Sequence, residues 1–263
     1  VIPRDYITEW RALAPWTENA QVEQDLVICR ALVSIFTQPA LRDTLAFRGG
    51  TALYKLYVTP AARYSEDIDL VQMRAEPAGA VMDALRSALD PWLGKPQWKQ
   101  TEGRITFNYR FSSEDPTPLP LRLKIEVNTR EHFTEHGFRK LPFAVQSRWF
   151  TGAADVTTYE LDELLGTKLR ALYQRRKGRD LFDLATAMER GNADPARVVA
   201  AFRRYMNEAG HRVTRAEFEA NLAAKLADRR FLSDIPPLLA ASQRWDPAGA
   251  ASLATERILS LLP

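Results

Sequence analysis

The stretch that most constrains this chain is residues 45–71, LAFRGGTALYKLYVTPAARYSEDIDLV. Leu45 to Phe47 reads as a short strand ending at Gly49-Gly50, and Thr51 opens a helical run through Tyr57. Two glycines at a strand-to-helix turn let backbone N–H groups approach a phosphate, and a helix N-terminus adds partial positive charge. After the loop Thr59-Pro60-Ala61-Ala62 comes Asp67-Ile68-Asp69-Leu70-Val71. Residues two apart on a strand share a face, so both carboxylates would project one way while Ile68 and Leu70 enter a core. Crowded carboxylates repel, and a divalent ion is their usual counter-charge; oxygen-only ligands suit Mg²⁺. Either half alone reads as a plain turn or as a strand with two solvated aspartates. Together, Gly49, Gly50 and Thr51 as a phosphate cradle and Asp67 and Asp69 as a metal pair are complementary parts of one site.

Around this stretch the periodicity sorts into helices and strands. Residues 17–37 predict a long helix whose stripe is Val22, Leu26, Cys29, Val33 and Phe36, with Glu23 and Asp25 open to a functional role but expected on a solvated face. Residues 76–93 predict another helix, with Val81, Leu85, Leu89 and Trp92 on one side. Ile105, Phe107, Tyr109 and Phe111 alternate after the Glu102-Gly103 turn, and a proline-rich loop spans 114–120. In Leu121–Asn128, Leu121, Leu123, Ile125 and Val127 point one way and Arg122, Lys124, Glu126 and Asn128 the other. Glu126 is thus a carboxylate on a polar strand face; a salt bridge with Lys124 or Arg110 is its plainer role. Residues 144–150 predict one further strand. From Glu160 the pattern is helical, with turns at Gly178, Gly191-Asn192, Gly210 and Pro236-Pro237. Thr214 with Glu217 is a capping box, and Asp194-Pro195 and Asp246-Pro247 are helix starts. The expected fold class is α/β (α+β), with a mixed-sheet domain over 1–155 and a helical domain over 156–263.

A second chemical constellation lies at 160–190. Leu161, Leu164, Leu165, Leus 169 and 172 form a buried stripe that includes Lys168. An ammonium there must snorkel out or meet a negative partner, either a triphosphate or the nearby Asp162 or Glu163. Asp180 and Asp183 lie three apart on the next helix. Lys168, Arg170, Arg175, Arg176, Lys177 and Arg179 form a basic run that could face an RNA backbone or simply satisfy helix ends.

Bulk properties narrow the setting. Cys29 is the single cysteine, so no intrachain disulfide forms and a reducing cytoplasm is expected. No apolar run is long enough to span a membrane, and no signal-peptide pattern opens the chain. The net charge of +3 is too small to argue for nucleic acid by itself. His132, His136 and His211 lack zinc-ligand spacing, and Gly-x-Ser-x-Gly and P-loop motifs are absent.

Phe47-Arg48-Gly49-Gly50-Thr51-Ala52-Leu53 followed by Arg63-x-Ser65-x-Asp67-Ile68-Asp69-Leu70 resembles the AbiEii/AbiGii toxin family of the nucleotidyltransferase superfamily. Ile2–Ile7 and Glu23-x-Asp25-Leu26-Val27-Ile28 look similar to it too, and the resemblance runs to about Leu184. It implies a Mg²⁺-dependent nucleotidyltransferase toxin that moves NMP from an NTP to the 3′ end of tRNA, with an antitoxin partner and a place in phage defence. It further implies Glu126 as a third carboxylate, for the second metal or as a proton acceptor. Lys168, Arg179, Asp180 and Asp183 match the family's later motif: Lys168 on nucleotide phosphates, Asp183 in the site and Asp180 orienting. Ser65, expected on the carboxylate face, joins the nucleotide site, and a phosphate placed there would repel the nucleotide. A small-molecule nucleotidyltransferase and a non-catalytic nucleotide-binding or antitoxin-binding module remain the alternatives.

Overall fold

The computed structural model describes residues 2–114 and 117–263; Asp115 and Pro116 of the proline-rich loop lie outside the described residues. The chain divides into two compact units, residues 1–133 with 138–159, and residues 134–137 with 160–263.

The first unit runs α1 (Arg4–Trp10), α2 (Asn19–Phe36), α3 (Pro39–Arg42), β1 (Leu45–Arg48), α4 (Gly49–Leu56), β2 (Asp67–Gln72), α5 (Gly79–Leu93), β3 (Gln97–Thr101), β4 (Arg104–Ser112), β5 (Pro120–Asn128), β6 (Phe138–Gln146) and β7 (Thr151–Tyr159). Its seven strands form one mixed sheet in the order β3-β4-β5-β2-β1-β7-β6. β2 runs parallel to β5, and β1 parallel to β7; the other neighbours are antiparallel. Alternation places Ile68 and Leu70 of β2, Ile105, Phe107 and Tyr109 of β4, and Leu123, Ile125 and Val127 of β5 in the core, all essentially inaccessible. α2 packs against β5 and β7, and α5 against β4.

Two strands differ from the sequence expectation. The run 144–150 is not one strand: it holds the end of β6, a turn, and the approach to β7. β6 is an edge strand carrying Pro142, and its half-exposed residues do not alternate cleanly. β3 has all five residues exposed, so no burial period marks it.

The face of α2 expected to be solvated is buried. Its middle, LVICRALVSIF, is apolar almost all round, and such a helix belongs inside a core. Glu23 and Asp25 are each 2 % exposed. Glu23 accepts the N–H of Glu114 at 2.9 Å. Asp25 receives the Lys55 ammonium on both oxygens at 2.7 and 2.8 Å, the Trp10 indole at 3.0 Å and the Trp16 indole at 3.2 Å. Burial opposes the charge on Lys55, but Asp25 holds its pKa above the usual lysine range. Burial also pushes the neighbouring Cys29 thiol up to about 12.

The second unit is helical: α6 (Leu161–Gln174), α7 (Gly178–Arg190), α8 (Pro195–Glu208), α9 (Arg215–Leu226), α10 (Arg229–Leu232) and α11 (Pro247–Arg257). The caps read from sequence are present: Asp194 accepts from Ala196 N–H, Asp246 from Gly249 N–H, and Thr214 and Glu217 close a capping box. Glu163, fully buried, draws residues 134–137 into this unit. It accepts the Thr134 hydroxyl at 2.6 Å, the N–H groups of Glu135 and His136 at 2.8 Å, and the Tyr205 hydroxyl at 2.9 Å.

Asp25→Ala would strand the Lys55 ammonium and two indole donors in the core. It is expected to cost about 3–5 kcal/mol, as removal of one partner from a buried pair does. Urea unfolding measures it, and a loss under ~1 kcal/mol, the size of a surface ion pair, would show that the network contributes little.

Candidate functional site

One row of residues across three strands defines the candidate site. Arg48 of β1 stands opposite Asp69 of β2, and Asp69 stands opposite Glu126 of β5; Asp67 stands opposite Lys124. The side chains of Asp67, Asp69, Lys124 and Glu126 therefore share one sheet face, the face turned away from Ile68 and Ile125.

The glycine turn adjoins this row. α4 begins at Gly49 itself, two residues earlier than expected, so the amides of Gly49, Gly50 and Thr51 are first-turn donors without intrahelical acceptors. Arg48, at the N-cap, makes no side-chain capping bond. Gly49 has φ +85°, and a Cβ there would lie 2.3 Å from Asp69 Oδ2. Only glycine accommodates both that backbone conformation and that approach. A Cβ on Gly50 would meet the Arg63 guanidinium at 2.5 Å and Ser65 Oγ at 3.1 Å. Ser65 precedes β2 rather than lying within it, and its hydroxyl pairs with Thr51 Oγ1 at 2.9 Å. Thr51 is buried and its hydroxyl also donates to the Asp67 carbonyl, tying α4 to β2.

The charges are unevenly satisfied. Asp67 Oδ1 is buried with no hydrogen-bond partner among the described residues. Asp67 Oδ2 lies 3.3 Å from Lys124 Nζ, which also reaches Glu126 Oε2 at 3.1 Å. Glu126 Oε1 pairs with Arg104 at 3.3 Å; this, rather than Arg110, is its cross-strand arginine. Burial opposes the Lys124 charge, but Asp67 and Glu126 hold its pKa above the usual lysine range. Burial and the Asp67 carboxylate push the Asp69 carboxyl above its ordinary range, against the pull of Arg48. Arg48 itself is held by Glu131 at 2.6 Å. Among the described residues no group of three or more acidic, histidine or cysteine side chains is arranged to hold a metal ion. The donor set still fits Mg²⁺, which binds through one or two carboxylates and completes its shell with water and substrate phosphates. Lys124 was missed as a site residue in the sequence; its place two residues before Glu126 on the polar face was the available signal.

Lys168, Arg179, Asp180 and Asp183 belong to the second unit. Lys168, 7 % exposed, meets Asp183 at 2.8 Å and Asp180 at 3.5 Å, both fully buried. Asp162 and Glu163 are engaged elsewhere, Asp162 with Arg197 at 2.6 Å. Arg175 forks onto Asp180 at 2.7 and 2.8 Å, and Arg179 forks onto Asp234 at 3.0 and 3.1 Å. Lys177 also reaches Asp234, and Arg176 reaches Asp228. The basic run, for which an RNA backbone and helix ends were both open partners, is largely paired with acids of its own unit.

A mixed sheet with an Asp-x-Asp strand beside a glycine-led helix is a nucleotidyltransferase fold, and solved structures agree. MenT4, a nucleotidyltransferase toxin from Mycobacterium tuberculosis, is similar at a TM-score of 0.70 with 18% identity, over 100% of this chain and 91% of that one. A putative nucleotidyltransferase from H. pylori is similar at a TM-score of 0.51 with 19% identity, over 93% and 95% of the two chains. No curated protein matches the sequence. The family described as nucleotidyl transferase AbiEii toxin, type IV toxin–antitoxin system, matches residues 30–251, and the chain belongs to that family. The match begins after the N-terminal segments that look similar and extends well past Leu184 into the C-terminal helices. Membership makes the chain a nucleotidyltransferase toxin, with an NTP substrate and an antitoxin counterpart. No helix among the described residues is long and apolar enough to cross a membrane.

Two outcomes follow from these charges. Asp69 has a raised pKa, so its ionised form costs folded-state stability at pH values above that pKa, and the cost fades as pH falls through it. Asp69→Asn is expected to raise the melting temperature at neutral pH, a gain that shrinks as pH falls, in calorimetric scans. Lys168→Met removes the ammonium that meets Asp183 and Asp180 in the core and is expected to lower the midpoint of chemical denaturation; an unchanged midpoint would mean that the pair is not formed in solution.

Proposed function

We propose that this toxin transfers a nucleoside monophosphate from an NTP to the 3′ end of a tRNA in the cytoplasm, with Mg²⁺ held by Asp67 and Asp69, as one half of a phage-defence toxin–antitoxin pair. The observation that carries the reading is the buried, unpartnered Oδ1 of Asp67 beside Asp69 and the glycine turn. A buried carboxylate oxygen without a donor is costly unless a ligand supplies the missing charge. The similarity to MenT4, a nucleotidyltransferase toxin, supports the nucleotidyl-transfer part of this reading.

Bound Mg²⁺ would supply charge neutralisation on the triphosphate. The chain's own groups do the rest by position. First-turn amides of Gly49, Gly50 and Thr51 bind phosphate oxygens, and Ser65 adds a hydroxyl at the same turn. The acceptor oxygen bonds to the α-phosphorus, the bond from that phosphorus to the β-bridging oxygen breaks, and pyrophosphate leaves with the electron pair. The hydroxyl proton passes to Glu126, which releases Lys124 or Arg104 to accept it. Glu126 thus serves in this reading as the base, with the second-metal role as the variant of it. Lys168 contacts nucleotide phosphates in the family motif, with Arg179, Asp180 and Asp183 around it. Its charge is already shared by Asp183 and Asp180, so such a contact exchanges one counter-charge for another.

The test is incubation with each labelled NTP, Mg²⁺ and total tRNA. Label is expected at the tRNA 3′ end, and Asp67→Ala is expected to reduce it by roughly 10³-fold or more. Equal labelling by Asp67→Ala would remove the metal-site assignment. Label on small molecules alone would favour an antibiotic-modifying kind of enzyme, and nucleotide binding without turnover a binding module.

A further inference from the structure

Arg110 of β4 and Arg122 of β5 stand directly opposite each other in the antiparallel ladder. Like charges in that position destabilise a sheet. Both are exposed, and neither has an acidic partner among the described residues. Their neighbours on the same face differ: Arg104 and Lys124 each hold a carboxylate. The basic run of the second unit is similarly paired. An arginine pair that repels itself and has no acidic partner among the described residues marks a place for an anion from outside the unit.

The pair's position narrows which anion. Arg122 lies two residues before Lys124, the register partner of Asp67, so it shares the carboxylate face about 7 Å along the strand. In the sheet order, the glycine turn follows β1 on one side of β2, and the arginine pair sits on β5 and β4 on the other. Asp67 and Asp69 lie between. A transferase that joins two substrates needs the donor triphosphate on one side of its reacting centre and the acceptor on the other. Beyond β4 the face continues onto β3, exposed along its whole length, with Lys99 opposite Thr106.

We infer that Arg110 and Arg122 form a binding site for backbone phosphates of the RNA acceptor, on the β4–β5 face across the carboxylates from the nucleotide. The inference rests on the RNA-acceptor reading above. Guanidinium groups suit it, since their forked donors match phosphate oxygens.

The experiment compares wild type, Arg110→Gln/Arg122→Gln and Arg110→Lys/Arg122→Lys in titrations of fluorescent unfractionated tRNA at several salt concentrations. NTP binding and melting temperature are followed in parallel. The glutamine variant is expected to bind tRNA ~10-fold or more weakly, with the log–log salt slope shallower by about 1.4, two single-strand contacts at ~0.7 each. The lysine variant should keep most of the slope. NTP affinity should hold, and melting temperature should hold or rise as the repulsion goes. Wild-type affinity and slope in the glutamine variant would overturn the inference while leaving the RNA acceptor standing. An equal loss of NTP binding would reassign the arginines to the donor triphosphate. Failure of wild type to bind RNA even at low salt would remove the acceptor reading and this site with it.

Discussion

The approach of Gly49 to Asp69 is the contact on which the candidate site depends. β1 and β2 are antiparallel with Arg48 opposite Asp69, so the chain leaving β1 must turn across the Asp69 carboxylate. The backbone does so at φ +85°, with no room for a Cβ. That geometry starts α4 at the site and aims its free first-turn amides there. Thr51 then locks the helix to β2 through the Asp67 carbonyl, so the amides and the carboxylates are fixed to one another by two short links. The parallel register of β2 with β5 adds Lys124 and Glu126 to the same row.

Charge is arranged differently in the two units. In the second, the buried acids are saturated: Asp180 and Asp183 by Lys168 and Arg175, Glu163 by four donors, Asp234 by Arg179 and Lys177. Such pairs add less stability than their number suggests, because desolvation offsets much of the attraction. In the first, Asp25 is saturated in the same manner, but Asp67 keeps an orphan oxygen and Asp69 is held above its ordinary pKa. Unfavourable electrostatics are concentrated on one face of three strands. Proteins tolerate that cost where a ligand relieves it.

Much of this was legible in the chain. The alternation in β4 and β5 and the Asp67–Asp69 spacing assign side chains to faces, because a strand's period is two whatever surrounds it. The Gly-Gly turn, the proline-led helix starts and the capping box are local devices, and they formed where local chemistry placed them. β3 and β6 were not legible, since edge strands bury little and carry little pattern. α2 was misread on one face for the opposite reason: it is covered on nearly all sides, so its stripe conceals that Glu23 and Asp25 are inside as well.

What the sequence by itself determined is the set of faces and turns: which carboxylates share a side, where backbone amides are freed, and which family the motifs belong to. Only the tertiary structure decided the partners. Lys168 meets Asp183 and Asp180 rather than Asp162 or Glu163, Glu126 takes Arg104 rather than Arg110, and Arg110 is left facing Arg122. The physical reason is that periodicity is a property of one element. A charge's partner depends on the register and packing between elements: helix packing chose the partners of Lys168, and a one-residue difference in the β4–β5 register would have changed the other two.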